Sequence, residues 1–295
     1  MILQLFKVIL MAERKVLLHE MTRSAFEEWL QSEKRPVALI AVGSIEQHGP
    51  HLPLGTDTIW AVSVCEEIAR RTNSIVVQPC WPGFSPHHME FKGTITFSAE
   101  TLLRILLETI GSLAKHGIRR FIIVNGHGGN NEIVALAARL AKRKFRVYVA
   151  IPRGPTTTKT AKKYRDRALK YLEVHSGARE TGSMLIIRPD LVEMQRVEDW
   201  QPTTKLEPEL EELMNPERED REVAEQVFWA SIPINTHEFT SSGIYALTHP
   251  KDADLEDAKK RREEFIEFVV KFINLWKKIP LEEREEKLKK QPTIY

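Results

Sequence analysis

Glu46-Gln47-His48, followed a short loop later by Asp57, gathers two carboxylates and an imidazole in one stretch of chain. Gly126-His127-Gly128-Gly129-Asn130 brings a second imidazole, and His175 with Glu180 forms a third group. Mixed carboxylate and imidazole donors suit zinc, manganese or iron, and donor type does not choose among the three. Side chains at i and i+2 of an extended segment point the same way, so Glu46 and His48 can face one cluster. Asp57 stands just before a predicted helix, where capping alone would account for it. Beside Glu46 and His48 in one strand-to-helix loop, a ligand role fits it better. Glu180 has two readings as well. A carboxylate in the first turn of a helix favours the dipole, or it binds metal or braces a group that does.

His127 could simply hydrogen-bond the backbone. Gly126, Gly128 and Gly129, however, permit positive φ and close backbone approach, which suits a ligand site or oxyanion-stabilising N–H groups. A phosphate-cradling loop is the weaker alternative, because the chain has neither a GxGxxG fingerprint nor a Walker lysine. His87 and His88 are adjacent, so on an extended segment they point apart and at most one reaches the site. His51, beside Pro50, can support a ligand from behind. His237 and His249 read as structural, and Arg179 either binds an anionic substrate or pairs at the surface.

These side chains need a frame. Residues 36–42 and 121–124 are apolar runs that read as buried strands, each ending just before a motif cluster. Ligands of open α/β sheets bind beyond the carboxyl ends of the strands. Further strands are predicted at 75–77 and 146–151, with a short extended piece at 93–97. Helices are predicted at 58–71, from Ser98 as N-cap to His116, at 131–144 and at 178–187. The alternation predicts one α/β domain over 1–295, with a mostly parallel central sheet flanked by helices on both faces. Residues 196–221, rich in Glu and Arg, read as a charged insertion or simply a solvated helix. From about 255, Phe265, Phe268, Val269, Phe272, Ile273 and Trp276 form a helical stripe suited to core or to a subunit interface. Residues 282–290 read as a charged, exposed tail.

The 295 residues are 42% hydrophobic and 28% charged, as in soluble globular proteins. A net charge of +2 gives no reason to expect a nucleic-acid partner. Cys65 and Cys80 are the only cysteines, which argues against a disulfide framework and fits a reducing cytoplasm. The apolar start, residues 1–10, falls short of the roughly 20 residues of a membrane helix. It reads as an edge strand or as a misassigned start, with Met11 the first residue.

The stretch from Gly43 through Glu46, His48 and Pro53 to Asp57 resembles the creatininase (creatinine amidohydrolase-like) family. So do Gly83-Phe84-Ser85-Pro86-His87-His88 leading to Gly93-Thr94, Asn125-Gly126-His127-Gly128-Gly129-Asn130, and His175-Ser176-Gly177-Ala178-Arg179-Glu180-Thr181. The resemblance runs from about Pro36 to Leu191. It implies an α/β fold and two divalent metal ions per subunit. It also implies Glu46, His48, Asp57 and His127 as ligands, with Asp57 bridging, His175 as the proton-transfer group, and a homo-oligomer such as a hexamer. Creatininase carries a metal-binding glutamate just after its equivalent of His127, where this chain has Gly128-Gly129. Glu180 is the candidate replacement. Residues 152–175 contain no tryptophan to wall a creatinine pocket. The Gly-Gly form is more like the archaeal formamidopyrimidine deformylase branch, and the mycofactocin-maturing peptidase belongs to the same family.

The expected activity is that of a cytoplasmic metal-dependent amidohydrolase acting on a small molecule. It would cleave a C–N bond of a cyclic amide or formamide, using hydroxide that the metals make available near neutral pH. A turn N–H would stabilise the oxyanion, and His175 would protonate the leaving nitrogen. Specificity residues are expected within 152–175 and 196–221. The alternatives are a non-catalytic metal- or nucleotide-binding protein on the same scaffold, or a metal-dependent phosphoesterase.

Overall fold

Val37-Ala38-Leu39-Ile40-Ala41-Val42 has no polar side chain, and every one of these residues is buried. Only a strand covered on both faces meets that pattern. In the computed structural model, which describes residues 14–160, 162–163, 173–215, 217–232 and 234–281, this segment is β1 (Val37–Val42). The apolar start and the charged 282–290 tail lie outside the described residues.

Strand β1 pairs in parallel with β2 (Ile75–Val77) and β3 (Arg120–Asn125), and β3 pairs in parallel with β4 (Tyr148–Ala150). The order is β2-β1-β3-β4. The connecting helices are α2 (Thr56–Thr72), α3 (Ala99–Lys115) and α4 (Asn131–Phe145), after a first helix α1 (Arg23–Ser32). Beyond the sheet come α5 (Ala178–Ile187), α6 (Pro208–Glu212), α7 (Arg221–Ser231), α8 (Thr236–Phe239) and α9 (Leu255–Trp276).

The pleat of β1 divides the core. Ala38, Ile40 and Val42 pack with Leu102, Leu106 and Ile110 of α3 and with Val134 and Ala137 of α4. Val37, Leu39 and Ala41 pack with Ala61, Val64 and Ile68 of α2 and with Ile266, Val269 and Ile273 of α9. The helices thus flank both faces, and the C-terminal stripe is core. Phe268 departs from it and is 38% exposed.

Three local differences from the sequence reading have physical causes. Helix α2 starts at Thr56, so Asp57 lies in its first turn, and the N-cap is Gly55, which makes no side-chain cap bond. Strand β4 is shorter than 146–151, and it starts late because Arg146 turns left-handed to end α4. Residues 196–221 are not simply a solvated helix. Val197 packs with Ile244 and Ala246, and Leu206 packs with Phe228, Phe239 and Tyr245, so small apolar clusters pin this region down. Ser98 caps α3 as expected, accepting from the Thr101 N–H.

Candidate metal centre

Val42, the last residue of β1, lies in register with Asn125, the last of β3. The chain segments bearing Glu46-His48 and His127 therefore leave the sheet side by side, beyond its carboxyl edge. Asn130 ties this edge together: its Nδ2 donates to the Gly43 carbonyl and its Oδ1 accepts from the Phe84 N–H. A Cβ on Gly126 would fall 2.4 Å from the Asp57 carbonyl, so glycine lets the start of α2 close onto the end of β3. None of Gly126, Gly128 and Gly129 has positive φ. The conformational freedom expected there is unused. What Gly126 and Gly129 supply is space.

Asp57 stands between two imidazoles. Its Oδ1 is 3.3 Å from His48 Nε2, and its Oδ2 is 3.1 Å from His127 Nδ1 and accepts from Ser44 Oγ at 2.8 Å. Glu46 Oε1 lies 3.1 Å from His127 Nδ1, and Glu180 Oε2 lies 3.8 Å from His48 Nε2. These contacts run as a chain from Glu46 through His127, Asp57 and His48 to Glu180, with Asp57 at its centre. Donor atoms spaced like this are what one cation with bonds of about 2.0–2.2 Å would draw around itself.

The ring protons agree. A backbone carbonyl can only accept, so a ring nitrogen facing one carries the hydrogen. His48 Nδ1 faces the Glu46 carbonyl (3.2 Å), and His127 Nε2 faces the Phe84 carbonyl (3.1 Å). Once the inner proton is displaced, the lone pairs fall on His48 Nε2 and His127 Nδ1, the atoms nearest the carboxylates, as in metal-bound histidines. Both oxygens of Glu46 are buried without a hydrogen-bond donor. A carboxylate in that state is costly unless a cation compensates it. The residues therefore fit a divalent ion.

Burial opposes every charge here, yet the groups hold one another ionised. His127 keeps Glu46 down at about 2 against burial. Asp57, with Glu180 and Glu46, lifts His48 to about 9 despite complete burial. Asp57 is held low mainly by His48, and His127 is held high mainly by Glu46, again against desolvation. Protons on those imidazoles occupy the atoms a metal would need.

Glu180 sits in the first turn of α5 and is braced as well as near. Its Oε2 accepts from the Ser176 N–H, and its Oε1 accepts from Arg179 Nη2 at 2.7 Å. His51 backs the site by donating from Nε2 to Thr181 Oγ1. His175 is buried, and its Nε2 donates to the Gln47 carbonyl at 2.7 Å, which leaves Nδ1 facing Glu46 Oε1 at 3.8 Å. His237 and His249 stay outside the cluster, and His249 accepts from the Lys251 N–H. Cys65 and Cys80 are free thiols.

Two expectations are overturned. Both His87 and His88 line the cavity above the donors, because residues 86–88 form a 3-10 turn rather than an extended segment. The His87 ring stacks on His127 and the His88 ring on His175. The cavity, about 420 Å³, takes its far wall from Trp229, Ile232, Ile234, Thr236, Phe239 and Tyr245 rather than from residues 196–221. Trp229, in α7, shows that an indole reaches the cavity from outside 152–175. The adjacent Phe228-Trp229 pair was the available signal: Phe228 is buried while Trp229 is left 44% exposed.

A family model described as creatinine amidohydrolase matches residues 19–273. Creatinine amidohydrolase of Pseudomonas putida is 29% identical over 198 residues, 60% of this chain and 75% of that protein. The mycofactocin precursor peptide peptidase of Mycobacterium ulcerans is 36% identical over 172 residues, 55% of this chain and 62% of the peptidase. In Methanococcus voltae, 2-amino-5-formylamino-6-ribosylaminopyrimidin-4(3H)-one 5'-monophosphate deformylase is 32% identical over 103 residues, 35% of this chain and 39% of the deformylase. The chain thus spans three quarters of the first relative and less than two thirds of the other two. Among solved structures, a mutant creatininase of Zn-Zn type is 25% identical with a TM-score of 0.66, covering 88% of this chain and 97% of that one. A manganese creatininase, 24% identical with the same TM-score, shares the fold.

Proposed function

The chain belongs to the creatininase family, and from that premise we propose that it is a dinuclear metal-dependent amidohydrolase cleaving a non-peptide C–N bond of a small amide or formamide. The observation that carries this reading is the division of Asp57, one carboxylate oxygen toward His48 and the other toward His127. Glu46, Asp57 and His127 would hold one ion, and His48, Asp57 and Glu180 the other. Bound there, two divalent ions would lower the pKa of water and polarise the acyl oxygen.

The remaining work falls to the chain. His175 enters neutral, because its burial pushes the imidazole down. With Nε2–H given to Gln47, its Nδ1 lone pair takes the proton of the attacking water. The same nitrogen returns that proton to the leaving amine, so water and amide become acid and amine with His175 unchanged. The apolar wall at Trp229, Phe239 and Tyr245 receives the body of the substrate and limits water around the reacting carbon.

Metal content per chain in protein purified without chelator, for wild type and Glu180→Ala, tests the centre. Close to two ions falling toward one supports it, and none in the wild type after incubation with zinc, manganese or iron rejects it. A substrate panel of creatinine, N-formyl amines, cyclic ureides and phosphate monoesters then tests the bond: turnover of the phosphate esters alone would reject C–N cleavage.

A further inference from the structure

Gln47 lies between two of the metal-facing residues, is 4% exposed, and contributes nothing to the donor set. Its amide orientation is forced. Oε1 accepts from the Gly49 N–H at 2.9 Å and Nε2 donates to the Gly243 carbonyl at 3.0 Å, and neither partner can exchange roles. The second N–H of Nε2 meets His88 Nδ1 at 3.0 Å. That nitrogen must accept, so a neutral His88 carries its proton on Nε2. Gly243 makes the arrangement possible: at its φ of 80°, a Cβ would fall 1.9 Å from Gln47 Oε1.

This orientation is opposite to that of its neighbours. His48, His127 and His175 each give an outer N–H to a backbone carbonyl, so that with metal bound in the proposed centre each turns a lone pair inward. His88 turns an N–H inward. Its Nε2 stands 3.5 Å from Glu46 Oε1, a buried oxygen that has no hydrogen-bond partner. The ring lines the cavity. Glu46, His88 and His175 could be taken together as a metal triad by proximity alone. An N–H nitrogen has no lone pair to give a metal.

We propose that His88, aimed by Gln47, is the hydrogen-bond donor to the substrate's acyl oxygen and is not a metal ligand. The assignment rests on the amidohydrolase reading. As the acyl carbon is attacked, its oxygen gains negative charge, and an N–H already fixed in a cavity wall stabilises that charge without reorganising. No bond to hydrogen is broken at His88. The proton taken from water and returned to the amine stays with His175.

The test compares zinc-loaded wild type, His88→Ala, His88→Gln and Gln47→Leu. Zinc per chain is measured, with the affinity for acetohydroxamate (a compact mimic of the acyl group) by calorimetry and the ring nitrogen signals of His88 by NMR. Zinc content is expected to be equal in all four. His88→Ala and Gln47→Leu should bind the hydroxamate up to about tenfold more weakly, the worth of one hydrogen bond. His88→Gln, which keeps an N–H near the Nε2 position, should recover most of that loss. Zinc loss in His88→Ala, or equal hydroxamate binding in it and the wild type, overturns the proposal. So does a His88 signal protonated at Nδ1. A wild type that takes up no zinc or no hydroxamate defeats the amidohydrolase reading instead, and the ring signals still decide the His88 tautomer.

Discussion

His175 Nε2 lies 2.7 Å from the backbone carbonyl of Gln47, and this bond determines which face of the imidazole can do chemistry. The outer nitrogen is committed to a carbonyl, so only Nδ1 can exchange a proton with the reacting atoms. His175→Ala should keep its full metal content while kcat falls by about 10²–10⁴, the usual worth of a general acid–base. Metal analysis beside steady-state kinetics checks both halves. Metal loss in this variant would make His175 a ligand rather than a proton carrier.

Asp57 lies against both imidazoles, His48 and His127, whereas Glu180 lies against His48 alone. Asp57→Ala should therefore reduce metal content toward zero, further than Glu180→Ala does. Its melting temperature should also no longer rise when zinc is added, because stabilisation by a ligand requires a folded binding site. Parallel metal analysis and thermal melts decide this. Equal metal content in the two variants would rule out a shared carboxylate.

In the proposed centre, protons and metal would compete for His48 and His127. His48 sits at about 9 because Asp57, Glu180 and Glu46 outweigh burial, and His127 is likewise raised. At neutral pH, zinc must displace protons from both, so affinity should rise with pH until about 9, by about tenfold per unit for each proton displaced. The stability sign is opposite for metal-free protein. A raised histidine stabilises fully below its unfolded value near 6.5 and loses that contribution as pH climbs through the folded value. Melts from pH 7 to 9 should show the chelated protein losing stability while the zinc-loaded protein does not. A chelated protein equally stable across that window would contradict the raised histidines.

Gly126 is where the sheet edge meets the start of α2. A Cβ there would stand 2.4 Å from the Asp57 carbonyl, which is backbone and cannot swing aside. Gly126→Ala should cost about 1–3 kcal/mol by overpacking and should also weaken metal binding, because Asp57 moves with its backbone. Urea denaturation and a zinc titration on the same sample check the coupling. Lost stability with unchanged zinc affinity would separate the fold from the site.

Much of this protein was legible along the chain. The strands at β1 and β3, the capped helix after Ser98 and the α5 helix follow from local apolar patterning and from side chains that bond within their own turn. Glu46, His48, Asp57 and His127 were legible for a related reason: each follows a strand end that a parallel sheet must bring to one edge. What lies across the cavity was not legible, because it depends on contacts between distant residues. Gln47 reaches Gly243 across a sequence separation of 196 residues, and that bond sets the His88 proton. The turn at 86–88 that brings both histidines to the cavity is closed by the His88 N–H to the Ser85 carbonyl, while Asn130 holds the preceding Phe84 N–H. The wall from Trp229 to Tyr245 comes from residues whose own pattern shows only which face is apolar. Side-chain types therefore determined which chemistry was available, and tertiary packing decided which nitrogen carries each proton and what stands opposite the carboxylate–imidazole cluster.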